Sequence, residues 1–208
     1  MIKDYFSHYS NNEQRIINKW LNSDWLKDKV ESAMPDNTGY HDAIIKLKDG
    51  TSFNASFFVE VKEDEKFWFN KTGNIGLDYL SSFNFKNKAD KDKYRNNWVR
   101  AGQLQQFKTD IEISKKGKLF TCDAEVQLYY VKDEFLQAYD NQKLQDVQFV
   151  KYLETTYDLR INDKTAYGIQ DNWQSAAYFV NPKKDNQLQE CEINNFDELI
   201  NAIKSKMS

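Results

Sequence analysis

The sequence predicts an α/β fold, a mixed β-sheet flanked by helices in a single domain. Apolar residues recur at helical spacing near the start of the chain, at Ile16, Ile17, Trp20 and Leu21, and again over 195–206. Between these segments lie short β-branched and aromatic runs bounded by turn residues, the clearest being Phe57-Phe58-Val59-Glu60-Val61-Lys62. With 208 residues, 40% of them hydrophobic, the chain can bury a substantial core. An aromatic fraction of 15%, against only 7 Gly and 2 Pro, excludes a disordered or low-complexity polymer.

Taken in order, Asn11 or Asn12 can cap a helix over Glu13 to Asn22, and Trp25 to Val30 continues that helical region after a break near Ser23. Strands follow at 42–48 and 53–62, joined by a tight turn at Asp49-Gly50, and a third runs over 74–80. A polar, basic connection occupies 84–97, and 98–109 reads as a short helix or strand. Strands near 110–114, 118–122 and 125–131 extend the sheet. The residues from about 133 form a helical and strand extension, with helices over 133–139, 144–155 and 195–206 and a strand over 176–180. No repeat or linker divides 1–208.

Side chains alternate faces along a strand, so Glu60 and Lys62 project from one side and Val59 and Val61 from the other. One face can carry chemistry while the other carries core. The hairpin brings Asp42, which opens its strand, beside Glu60. Two carboxylates and a lysine suit metal-assisted phosphodiester hydrolysis, because Mg²⁺ takes hard oxygen ligands and keeps waters that can attack or protonate. Each residue also has a plainer reading, with Glu60 and Lys62 as a solvated pair and Asp42 as a turn residue.

Other chemistries lack their residues. The two cysteines, Cys122 and Cys191, are far apart and without metal-ligand spacing, and His8 and His41 are too few and scattered for a zinc cluster. No glycine loop of the phosphate-binding or dinucleotide type occurs, nor a Gly-x-Ser-x-Gly elbow.

Asp42 followed by Glu60-Val61-Lys62 resembles the acid…acid-x-Lys signature of the PD-(D/E)XK nuclease superfamily, and the segment Lys71-Thr72-Gly73-Asn74-Ile75-Gly76-Leu77-Asp78 resembles the block after the catalytic lysine in small phage and prophage nucleases of that superfamily. Cys122 to Val131 resembles the buried strand that completes their sheet. The likeness covers roughly residues 10 to 135. It implies a restriction-endonuclease-like fold and a Mg²⁺- or Mn²⁺-dependent deoxyribonuclease, with Asp42, Glu60 and the Val61 carbonyl on the metal and Lys62 acting on the attacking water or scissile phosphate. Pro35-Asp36 is a literal Pro-Asp, but Asp42 directly opens a strand and is the favoured ligand. Glu13, Glu31 and Asp78 are candidates for an additional acid, and Lys71, Thr72 and Asn74 for contact with nucleic acid.

A formal charge of −3 and a pI near 5.5 are not those of a generic nucleic-acid binder, so a DNA partner must be met by local charge. Lys86, Lys88, Lys91, Lys93, Arg95 and Arg100 supply one such stretch, with Phe83, Phe85, Tyr94 and Trp98 interleaved. Lys115-Lys116-Gly117-Lys118 supplies a second, read as a hairpin turn. Solvated loops are the plain alternative for both. The absence of a long apolar run or a signal-like start implies no membrane and a cytoplasmic location. A noncatalytic nucleic-acid-binding or protein-interaction module that keeps the fold is the rival function. A host-takeover or structural protein is a third. The oligomeric state is left open.

Overall fold

The structure is a computed structural model, and it describes residues 12–36, 42–60, 74–131, 135–163 and 174–206. In chain order the elements are α1 (Asn12–Leu21), β1 (Val30–Pro35), β2 (Ala43–Leu47), β3 (Ser52–Glu60), β4 (Ile75–Phe85) and α2 (Lys88–Lys93). After a 3-10 turn at Arg95–Asn97 come β5 (Trp98–Val99), α3 (Leu104–Asp110), β6 (Ile111–Lys116), α4 (Lys118–Thr121), β7 (Val126–Val131) and β8 (Phe135–Asp140). The chain closes with α5 (Asn141–Gln145), α6 (Val147–Thr156), β9 (Leu159–Asp163), β10 (Gln174–Val180), α7 (Asn186–Gln189) and α8 (Phe196–Lys206).

These elements fall into two compact units woven from interleaved segments. The first comprises Met1–Gly73, Cys122–Leu144 and Asn186–Ser208, and the second Asn74–Thr121 and Gln145–Asp185. Each has its own five-stranded sheet, ordered β1-β2-β3-β7-β8 in the first and β5-β9-β10-β4-β6 in the second. The expected mixed sheet is the first: all its pairs are antiparallel except β3 with β7. The strands after residue 74, expected to extend that sheet, instead build a second, wholly antiparallel one, apart from β7. A strand has two edges, and those of β4 are taken by β10 and β6.

In the first unit, alternation along β2 and β3 buries Ala43, Ile45, Leu47, Phe53 and Ala55, and Val126 and Leu128 of β7 join them. Ile17, Trp20 and Leu21 of α1 and Leu199, Ala202 and Ile203 of α8, each set at helical spacing, pack onto the same core. In the second unit the core is aromatic. Phe107 of α3 meets Phe83 and Tyr94 edge-on at 5.3 and 5.2 Å, and Phe85 stacks on Tyr94 at 5.7 Å.

Several local expectations give way to tertiary contacts. Residues 24–29 form turns rather than a helix, with the Lys27 amide on the Ser23 carbonyl at 2.9 Å, and lead into β1. Pro35 is tolerated there because β1 is an edge strand. The segment 133–139, rich in helix formers, supplies β8, since pairing with β7 from Val126–Asp140 to Val131–Phe135 outweighs propensity. Residues from 135 onward thus contribute a strand to the first sheet, and β9 and β10 to the second.

The apolar run at 118–122 is a helical turn, α4, rather than a strand, and Lys115 to Lys118 is no hairpin loop: Lys115 and Lys116 end β6 and Lys118 begins α4. Gly117 makes the change of direction. Its amide donates to the Tyr79 carbonyl at 3.0 Å, and a Cβ here would lie 2.0 Å from the Asp78 carbonyl oxygen. Only glycine lets the backbones approach so closely.

Candidate functional site

The position of Asp42 follows from the hairpin that precedes β3. Gly50, with φ of 89°, takes a left-handed conformation, its amide donates to the Leu47 carbonyl at 3.0 Å, and the Leu47 amide donates to the Thr51 carbonyl at 2.8 Å. Hydrogen bonds from Thr51 hold the Asp49 carboxyl below the usual carboxylate range. This turn sets the register, Ala43 opposite Ala55, and the Asp42 amide donates to the Ala55 carbonyl at 3.1 Å.

Asp42 and Glu60 therefore share one end of the first sheet, the start of β2 and the finish of β3. They are not level. Continuing the register places Ser56 opposite Asp42, and Glu60 lies four residues further along, opposite Val131 of β7. At roughly 3.3 Å per residue the offset along the strand is about 13 Å. Position 60 has the same parity as position 56. The residue that is level with Asp42 on its other side is Asp36, which follows β1 and donates its amide to the Asp42 carbonyl at 3.4 Å. The literal Pro35-Asp36 thus sits beside the favoured acid, a proximity that only the β1–β2 register reveals.

Val61, Lys62, Lys71 and Thr72 lie outside the described residues. Asn74 stands immediately before β4. Of the additional acids, Glu13 falls in α1. Glu31 pairs with Lys46 at 3.0 Å, four residues along β2 from Asp42 and towards the other end of the sheet. Asp78 belongs to the second unit, where its carboxylate accepts from Ser81 Oγ at 2.5 Å and from the Lys118 amide at 3.1 Å. It braces the Gly117 reversal. Among the described residues no three His, Cys, Asp or Glu side chains converge as metal ligands.

The sheet end has a polar foundation that sequence reading did not find. Ser56, Gln127 and Asn141 are buried in the first unit. Gln127 Nε2 donates to Asn141 Oδ1, Tyr129 Oη donates to Gln127 Oε1 at 3.3 Å, and Asn141 Nδ2 donates to the Ala124 and Cys122 carbonyls at 2.8 and 2.9 Å. These bonds fix β7, the strand whose parallel pairing carries the end of β3.

The basic stretch of the second unit is largely internally engaged. Lys93 contacts Asp90 at 2.7 Å and Asp110 at 3.1 Å, Lys86 Nζ donates to the Thr109 carbonyl at 2.6 Å, and Arg100 pairs with Asp158. Asp110 also accepts from Gln106 at 2.8 Å and from Tyr94 Oη at 2.9 Å. Burial pushes its carboxyl upward, but these donors outweigh burial and hold it below the ordinary value. Burial, and then the bond to Asp110, raises the Tyr94 hydroxyl. Contacts with Asp90 and Asp110 raise the Lys93 ammonium. Lys88 is exposed, Lys91 half-buried, and Arg95 lies in the 3-10 turn.

Among the described residues no helix is long and apolar enough to cross a membrane. No protein-family model matches the chain, and neither a curated protein nor a solved structure is detectably similar to it.

Proposed function

We propose that the first unit is a metal-dependent nuclease of the PD-(D/E)XK type that hydrolyses phosphodiester bonds in DNA, with a restriction-endonuclease-like sheet. The observation that carries this reading is the placement of Glu60 at the carboxyl end of the central strand β3, beside parallel β7 and at the same sheet end as Asp42. Ligands of α/β sheets commonly bind beyond the carboxyl ends of such strands.

Mg²⁺ fits the donor set by chemistry, since both side chains are carboxylates. The four-residue offset also suits an ion that keeps several waters, because one acid can then be reached through water. In this reading Asp42, Glu60 and the Val61 carbonyl hold the ion, which when bound supplies Lewis-acid charge to the phosphate and acidity to a water. Lys62 places its ammonium against the attacking water or the scissile phosphate. The buried Gln127–Asn141 bonds keep the strand ends from shifting while the substrate is held.

The offset also favours a second reading, a noncatalytic nucleic-acid-binding or protein-interaction module on the same sheet. A cleavage assay on DNA with Mg²⁺ or Mn²⁺ separates the two. Under the nuclease reading the wild type cuts, and Asp42→Asn, Glu60→Gln and Lys62→Ala each abolish cutting with DNA binding retained. A wild type that binds DNA and never cuts it leaves the module.

A further inference from the structure

The second unit presents an open strand edge. β6 is terminal in its sheet, and Glu112, Ile113, Ser114, Lys115 and Lys116 are all exposed, Ile113 at 48%. Such an edge offers a row of backbone donors and acceptors to another strand. At the opposite edge β5 has only two residues, too few for the same use.

The charges of β6 are self-complementary. Glu112 and Lys116 are equally spaced about Ser114 and share its side of the strand. In an antiparallel pair of two β6 strands centred on Ser114, Glu112 of each copy opposes Lys116 of the other, and Ile113 opposes Lys115. Opposed side chains in such a pair stand about 5 Å apart at Cβ, so both ion pairs form together. The Lys115 stem can cover the exposed Ile113 while its ammonium stays in water. A small serine lies on the two-fold axis.

We propose that β6 pairs with β6 of a second copy of this chain, antiparallel and centred on Ser114, joining two five-stranded sheets into one across an isologous interface. Lysines on an edge normally discourage pairing because like charges meet. In this register each meets either a glutamate or an aliphatic side chain.

The test uses charge reversal in the full chain, with mass followed by light scattering over a concentration series. Wild type should rise from 24.6 kDa towards twice that mass. Glu112→Lys alone and Lys116→Glu alone should each remain monomeric, because each creates two like-charge pairs. An equimolar mixture of the two variants should restore the dimer, since every pair across it is again opposite in charge. Both positions are exposed, and unchanged circular dichroism checks that the variants fold. A wild type that stays at 24.6 kDa throughout, or a dimer indifferent to the single reversals, overturns the proposal.

Discussion

Two sets of carboxylates, one in each unit, show how differently the same residue type is used. In the second unit Asp90 and Asp110 are buried and saturated by Lys93, Tyr94, Gln106 and Asn87. Every donor in reach is directed inward, and the cluster ties α2 to the end of α3. In the first unit Asp42 and Glu60 close the ends of neighbouring strands at the margin of the sheet. A carboxylate enclosed by its own donors has no coordination left for a ligand. One at a strand end stands where the ordered ladder stops and a ligand can enter.

The largest test of that contrast is catalytic. Asp42→Asn or Glu60→Gln is expected to lower the cleavage rate about a thousandfold, roughly 4 kcal/mol of transition-state stabilisation. Asp110→Asn should leave the rate unchanged at temperatures where the protein is folded. Initial rates on a labelled duplex, measured for all three variants, check both halves of the comparison.

Stability should divide in the opposite way. Gly117→Ala forces a Cβ into the Asp78 backbone and should cost about 3 kcal/mol in denaturant melts. Gln127→Leu leaves Asn141 and Tyr129 without a partner inside the first unit and should cost about 2 kcal/mol.

Acid titration gives a smaller effect with a definite sign. The Asp110 carboxyl is held below its ordinary 3.8, so the folded state takes up this proton less readily than the unfolded chain. Its contribution is present above about pH 4 and is lost as the pH falls below that. Asp110→Asn should therefore flatten the acid limb of melting temperature against pH, and an unchanged limb would remove Asp110 from the account.

Smallest is the effect on binding. Lys93 is committed to Asp90 and Asp110, so the quantity to measure is the double change Lys88→Ala/Lys91→Ala. If those residues touch phosphates, the slope of log affinity against log salt should fall in magnitude by about 2. Superimposable slopes would return α2 to an ordinary solvated helix.

What the sequence made legible was local. Helical spacing at Ile17, Trp20 and Leu21 and at Leu199, Ala202 and Ile203 located both core helices of the first unit, and Asp49-Gly50 located the hairpin that sets the register of β2 and β3. What it concealed was decided between distant segments. β8 reads as a helix until β7 is beside it, and Lys118 to Thr121 reads as a strand until Gly117 is seen pressed against Asp78. The division into two sheets was hidden for the same reason, since no linker marks a unit built from interleaved pieces. At the candidate site, sequence order placed Asp42 and Glu60 on adjacent strands. Their four-residue offset, and the neighbour Asp36, depend on register, which pattern alone does not encode.

The central claim is that the strand ends carrying Asp42 and Glu60 bind a divalent cation. Its most direct test is a crystal structure of the protein soaked in Mn²⁺, read by anomalous scattering. The account predicts a peak at this end of the first sheet, within reach of the Asp42 and Glu60 carboxylates and the Val61 carbonyl, and its disappearance in Glu60→Gln. A fully soaked crystal with no peak there, or a peak that survives that substitution, would contradict it.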